Sequence, residues 1–148
     1  MAIKEFEEYI ARGIVKKQLK NKQRSLSLIK EAEEKKDFLK TTIKNIPAEK
    51  MNANFIIDYC YDILMELIRS KMYADGYNAE NSHEAEVSYL KVIGFSEADL
   101  RFIDELRYNR NGIKYYGIKF EINYANKVKD FMERLYVKLI EIIKNTKL

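Results

Sequence analysis

Cysteine, proline, histidine and glycine are all scarce in this sequence. Its 148 residues include one cysteine, one proline, one histidine and five glycines. With Cys60 alone, the chain cannot form an intrachain disulfide or a metal site built from several thiolates, which fits a reducing cytoplasm. With His83 alone, it cannot form a zinc finger, and it has neither a phosphate loop nor a dinucleotide-binding fingerprint. We therefore expect no metal and no cofactor.

Long apolar runs are also missing. No stretch approaches the roughly 18 apolar residues that cross a membrane, and residues 1–8 contain no apolar core of a secretion signal. We expect a cytoplasmic protein that does not enter membranes. The net charge of +4 comes from 27 bases and 23 acids, a balance that permits a nucleic-acid partner without demanding one. The wealth of Lys, Glu and Ile resembles thermophile or archaeal composition.

What the sequence does contain is helical periodicity along nearly its whole length. Few residues can interrupt helices, and apolar side chains recur at helical spacing. We predict an all-α fold, an antiparallel up-and-down bundle of four to five main helices with about six helical segments in total. Because no repeat, low-complexity tract or flexible linker divides the chain, residues 1–148 are predicted to form a single domain.

The six predicted segments are separated by polar breaks at residues 16–22 and 76–81 and by Pro47. They cover approximately residues 3–15, 22–45, 52–75, 82–94, 96–117 and 121–144. The third is the most apolar and is predicted to lie at the centre of the bundle. Ser82 is a predicted N-cap, and Ser96 with Asp99 resembles a capping box.

Residues 106–117 form the most unusual segment. Helical spacing brings four polar side chains onto related faces there: Arg107, Arg110, Asn111 and Lys114. Such a set could hold a phosphate while a nearby tyrosine stacks on a base. The same segment also suits a polar helix end, since Lys114 complements the helix dipole and Gly117 fits the left-handed position after a helix. The pattern alone leaves both interpretations open.

The stretch from Arg110 through Asn111 to Gly117, on a late helix of a predicted bundle, resembles the signature of the HEPN family. In that signature an Arg, usually followed by a polar residue such as Asn, precedes a His by a few positions. Residues 82–85, 89–90 and 94–96 also resemble a subgroup of small prokaryotic HEPN proteins. The resemblance therefore spans most of the chain.

The resemblance implies a bundle that is commonly dimeric, with the Arg and His motifs of two protomers lining a shared cleft. Active members are metal-independent ribonucleases, in which the His transfers a proton during attack by the ribose 2′-OH and the Arg stabilises phosphate charge. Carried over, Arg110 would bind phosphate with Asn111 as its neighbour, and Tyr115 or Tyr116 would stand at the His position. A tyrosine with a pKa near 10 replaces imidazole poorly, so the motif is degenerate.

We therefore expect a HEPN-type homodimer that binds RNA or a nucleotide, in a toxin–antitoxin-like system. The candidate catalytic residues are Arg110, Tyr115, Tyr116 and the lone His83; the candidate substrate-binding residues are Arg107, Asn111 and Lys114. One alternative is an accessory subunit of a minimal nucleotidyltransferase, with the apolar third helix, residues 55–72, as the contact face. Another is an active metal-independent endoribonuclease that uses His83 or a tyrosine for proton transfer.

Overall fold

A computed structural model describes residues 3–146 and shows an all-α bundle with one small two-stranded ribbon, which confirms the predicted fold class. The elements are α1 (Phe6–Ala11), β1 (Lys16–Lys17), α2 (Lys22–Asn45), α3 (Ala53–Asp75), β2 (Tyr77–Asn78), α4 (His83–Val92), α5 (Glu97–Tyr116) and α6 (Ile122–Lys144), with a short 3-10 helix at Ala48–Lys50. Within the described residues, no helix has the length and apolar character needed to cross a membrane.

Local sequence signals account for most helix ends. The predicted bounds of α2 are confirmed, and Ser82 caps α4 by accepting a hydrogen bond from the backbone N–H of Ala85 at 3.3 Å. Ser96 caps α5 in the same way, through the N–H of Asp99 at 3.1 Å. The second half of the predicted capping box is wrong, because the Asp99 carboxylate pairs with Arg134 at 2.7 Å instead.

The first helix is shorter than predicted and ends at Ala11. Gly13 has a φ of +74°, which turns the chain out of the helix. The backbone N–H groups of Ile14 and Val15 then both donate to the carbonyl oxygen of Tyr9, at 2.9 and 3.1 Å. Apolar spacing continues through these residues, but they pack on the core from a turn rather than from a helix.

The two polar breaks of the sequence pair with each other as an antiparallel ribbon. Lys16 lies opposite Asn78, and Lys17 lies opposite Tyr77. The ribbon was not predicted, because two residues are too few to show the alternation of a strand. Gly76 closes the ribbon, with its carbonyl oxygen accepting the N–H of Gln18 at 2.8 Å.

Helix α3 lies at the centre of the bundle, as predicted, and contacts α2, α4, α5 and α6. More than half of its residues are buried, so its apolar surface is used inside its own bundle. Only its first turn keeps a large apolar side chain at the surface, Phe55 at 36% exposed. The expectation that this helix offers a partner an apolar face is therefore not supported by its surroundings.

Contacts at both ends of α3 give the directions of its neighbours. On α2, Ser25 lies 2.9 Å from Ser70, while Phe38 packs on Tyr59, so α2 and α3 are antiparallel. Phe120, just before α6, donates to Asn54, and Thr146, just after it, contacts Lys71, so α6 runs parallel to α3. Residues 99 and 109 of α5 contact residues 134 and 124 of α6, so these two helices are antiparallel. The main helices thus alternate in direction along the chain, with the short α4 inserted between α3 and α5.

The ribbon generates a stability prediction. Gly76→Ala should lower the free energy of unfolding by more than Gly13→Ala does. Both glycines have positive φ, +88° and +74°, so alanine costs roughly 1–2 kcal/mol at either site. Only at Gly76 would the new Cβ meet backbone, the carbonyl oxygen of Gln18 at 2.6 Å, whereas nothing lies within 4 Å at Gly13. Urea unfolding followed by circular dichroism measures both, and equal losses would contradict the described ribbon.

Candidate functional site

An open groove of about 480 Å³ lies between the start of α4 and the second half of α5. Its lining residues are Asn81, Ser82, His83, Glu84, Arg107, Arg110, Asn111, Lys114 and Tyr115. The volume is in the range of sites that hold small ligands of nucleotide size. Three cationic side chains and the single carboxylate of Glu84 line the groove, so it offers an anion several cationic hydrogen-bond donors. Two of these cations also pair with carboxylates outside the lining, Arg107 with Asp104 and Arg110 with Asp58.

The walls of the groove follow from local sequence. On α5, steps of three and four residues bring Arg107, Arg110, Asn111 and Lys114 to the same side of the helix. On the other wall, the loop before α4 turns sharply, because Glu80 and Asn81 adopt positive φ of 47° and 72°. Ser82 then caps α4, which makes His83 its first residue and puts that residue across from α5.

Arg110 is both a groove residue and a buried structural group, only 8% exposed. Its Nε donates to Asp58 at 2.9 Å, and its Nη2 lies 3.6 Å from Asp62. Burial raises the pKa of Asp62 and the Asp58 carboxylate raises it further, while Arg110 acts in the opposite direction. Because the Arg110 side chain is buried and packs over the Tyr61 ring, Arg110→Ala should affect the fold as well as the groove through lost packing.

A buried tyrosine links Arg110 to His83. The guanidinium carbon of Arg110 lies 5.3 Å from the ring centroid of Tyr61, and the Tyr61 hydroxyl lies 2.9 Å from Nδ1 of His83. Tyr61 itself is completely buried. The two groove residues on opposite walls are therefore held by one side chain of α3 beneath them.

The pKa of His83 is lowered, chiefly by burial. Arg69, Arg110 and Arg107 lower the pKa of His83 further, while the Glu86 carboxylate raises it. Glu86 is itself held by two hydrogen bonds from Arg69, of 2.5 and 2.9 Å. In the folded protein the neutral form of the imidazole is thus favoured.

The candidate residues of the sequence analysis are not all brought together. The structure groups His83, Arg107, Arg110, Asn111, Lys114 and Tyr115 in one groove. Tyr116 does not line that groove and is 80% exposed, so of the two tyrosines only Tyr115 is a groove residue. Arg107 also contacts Asp104, with its Nε 3.0 Å from the carboxylate. Gly117 has the predicted left-handed conformation, with a φ of +64°.

Three residues beneath the groove were missed by sequence reasoning: Asp58, Tyr61 and Asp62. An available signal was the presence of two carboxylates one helical turn apart in the most apolar helix of the chain. Charges in such a helix need partners when they are buried, and the partner here is Arg110. Tyr61 gave no such signal, because a tyrosine in an apolar helix is ordinary core.

Comparison of the chain with models of protein families, with curated proteins and with solved structures gives no match. Within residues 3–146, no group of three or more His, Cys, Asp or Glu side chains is arranged to hold a metal ion. The groove is thus interpreted from its own geometry and charge.

The lowered pKa of His83 generates a pH prediction. In the unfolded chain His83 binds a proton near its ordinary pKa of 6.5, before the folded chain does. The stability that depends on neutral His83 is therefore fully present above that value and is lost as pH falls through the folded-state pKa. Relative to His83→Gln, which cannot titrate, the wild type should lose free energy of unfolding as pH falls from about 6.5 towards the folded-state pKa. Urea unfolding at a series of pH values measures this, and parallel profiles for the two proteins would contradict it.

Proposed function

We propose that this protein binds RNA or a nucleotide through a phosphate held in the groove between α4 and α5. The observation that carries the proposal is the convergence of Arg107, Arg110 and Lys114 with His83 in one open groove. The planar guanidinium group matches phosphate oxygens with paired donors, and the lysine ammonium adds a point charge. Tyr115, 68% exposed on the rim, offers a face on which a base can stack.

The HEPN resemblance supports the same proposal. In a HEPN-type protein, Arg110 with Asn111 would be the phosphate-binding part of the motif, and Tyr115 would occupy the position of the missing His. We accordingly propose a cytoplasmic homodimer with a degenerate ribonuclease motif, working in a toxin–antitoxin-like system. A minimal nucleotidyltransferase is the proposed alternative partner; stoichiometric co-purification of such an enzyme would favour it over the homodimer.

The binding site is best tested at Lys114, which is exposed near the end of α5. Lys114→Gln should weaken binding of a short labelled single-stranded RNA by roughly three- to tenfold, because a charge-assisted contact to phosphate is lost. It should also reduce the salt dependence of binding by about one phosphate contact. Fluorescence anisotropy at several salt concentrations measures both effects.

Lys40→Gln is the matched control, since it removes the same charge from an exposed position on α2. Lys40 lines a different surface, shared with α6, and is not part of the α4–α5 groove. It should leave RNA affinity nearly unchanged. If both variants weaken binding equally, the RNA responds to overall charge and the groove is not the site.

Metal-independent RNA cleavage is a second candidate function, favoured by one observation: His83, the only imidazole in the chain, lines the same groove as Arg110. Imidazole is the usual proton-transfer group of such chemistry. Our primary proposal expects RNA to be bound and not cut during incubation in EDTA. The appearance of 2′,3′-cyclic phosphate ends that are lost in His83→Gln would instead establish cleavage, whereas activity that persists in this variant would indicate a contaminant.

A further inference from the structure

The contact between Tyr61 and His83 decides which nitrogen of the imidazole meets a ligand. Tyr61 is completely buried, and its hydroxyl oxygen lies 2.9 Å from Nδ1 of His83. Within residues 3–146, this nitrogen is the only hydrogen-bond partner of the Tyr61 hydroxyl. The positions of the two hydrogens follow from that geometry.

The Tyr61 hydroxyl has to donate its hydrogen to His83. Burial raises the pKa of Tyr61, so the phenol stays protonated, and a buried O–H group requires an acceptor. Nδ1 accepts only when it carries no hydrogen, and in a neutral imidazole the hydrogen is then on Nε2. The opposite arrangement, in which Nδ1–H donates to the phenol oxygen, would leave the phenol hydrogen buried without an acceptor.

The second nitrogen of His83 is open to the groove. Within residues 3–146, only two buried side-chain nitrogen or oxygen atoms have no hydrogen-bond partner, Oε2 of Glu8 and Oε2 of Glu66. Nε2 of His83 has no hydrogen-bond partner among these residues either. Because it is not one of the two buried atoms, it is accessible to solvent. Because His83 lines the groove, Nε2–H is available to a ligand there.

We propose that Tyr61 is a positioning residue that holds His83 as a neutral Nε2–H donor, so that the groove selects a ligand with an acceptor at that point, a phosphate oxygen. This inference rests on the proposed function and sharpens it. To accept the proton of a ribose 2′-OH, Nε2 would first have to lose its own hydrogen. That hydrogen cannot move to Nδ1 while Nδ1 accepts the hydrogen bond from Tyr61. The arrangement therefore suits phosphate binding rather than general-base cleavage.

The chain offers an unusually direct test, because His83 is its only histidine. Protein labelled with ¹⁵N at histidine gives NMR signals from this one ring. Near pH 8, where imidazole is neutral, we expect a protonated Nε2 and an unprotonated, hydrogen-bonded Nδ1. Several charged groups around the ring affect its proton affinity: Glu84 and Glu86 on α4, Arg69 on α3, and Arg107 and Arg110 on α5. The test therefore determines which ring nitrogen carries the proton, and not the pH at which the ring titrates. A protonated Nδ1 in the wild type would overturn the proposal.

Tyr61→Phe should move the Nδ1 signal to that of a nitrogen without a hydrogen bond and give a mixture of the two neutral forms. Tyr89→Phe is the matched control, because it removes another buried phenol hydroxyl, one bonded to Asp75. It should leave the His83 signals unchanged. Identical His83 signals in wild type and a folded Tyr61→Phe would overturn the positioning role; if Tyr61→Phe does not fold, the wild-type proton position decides.

The ligand half of the proposal is tested by adding a short single-stranded RNA. The Nε2–H signal should shift while Nδ1 stays unprotonated. His83→Gln, whose amide N–H₂ can replace the donor, should keep RNA affinity within about twofold, while His83→Ala should lose roughly three- to tenfold. RNA that binds without moving Nε2 overturns this inference and leaves the proposed function standing; no binding of RNA or of inorganic phosphate overturns both.

Discussion

The burial of α3 is the constraint on which the rest of the structure depends. Its apolar side chains are covered by four other helices, and each fully buried Ile, Leu or Met contributes about 1.5–3 kcal/mol. A helix enclosed to this degree has little free surface for charged residues. Carboxylates of α3 pair with cations of its neighbours, Glu66 with Lys35 of α2, and the partly exposed Asp58 and Asp62 with Arg110 of α5.

One of these pairings helps to orient a wall of the groove. Arg110 of α5 contacts Asp58 and Asp62, and the same helix packs in the core through the buried Ile103 and Leu106. Once α5 is fixed in this way, the other cations on the same side are set as well, one helical turn before and after Arg110. Arg110 lines the groove, while the two carboxylates that it pairs with belong to α3. The same arginine therefore contributes both to the packing of α5 on α3 and to the lining of the groove.

Much of the fold was predictable from the sequence, because its determinants are local and repeated. Apolar spacing identified the helices, and the serines at 82 and 96 identified two of their starts. The ribbon was not predictable, since the pairing of two two-residue strands depends on where the end of α3 places Gly76 relative to the N-terminal segment. For the site, spacing along α5 was sufficient to group its polar residues. The opposite wall could not be predicted, because the position of His83 depends on how the short α4 folds back on α3.

The two walls of the groove also differ in the contacts that anchor them. The α5 wall is a helix of 20 residues that is joined to α3 by the ion pairs of Arg110 with Asp58 and Asp62. The α4 wall is a helix of 10 residues whose preceding loop is tied to the N-terminal segment by a two-residue ribbon and by the ring contacts of Phe6 with Tyr77 and Tyr89. In effect, residues 6–17 brace the wall that carries His83, although none of them lines the groove.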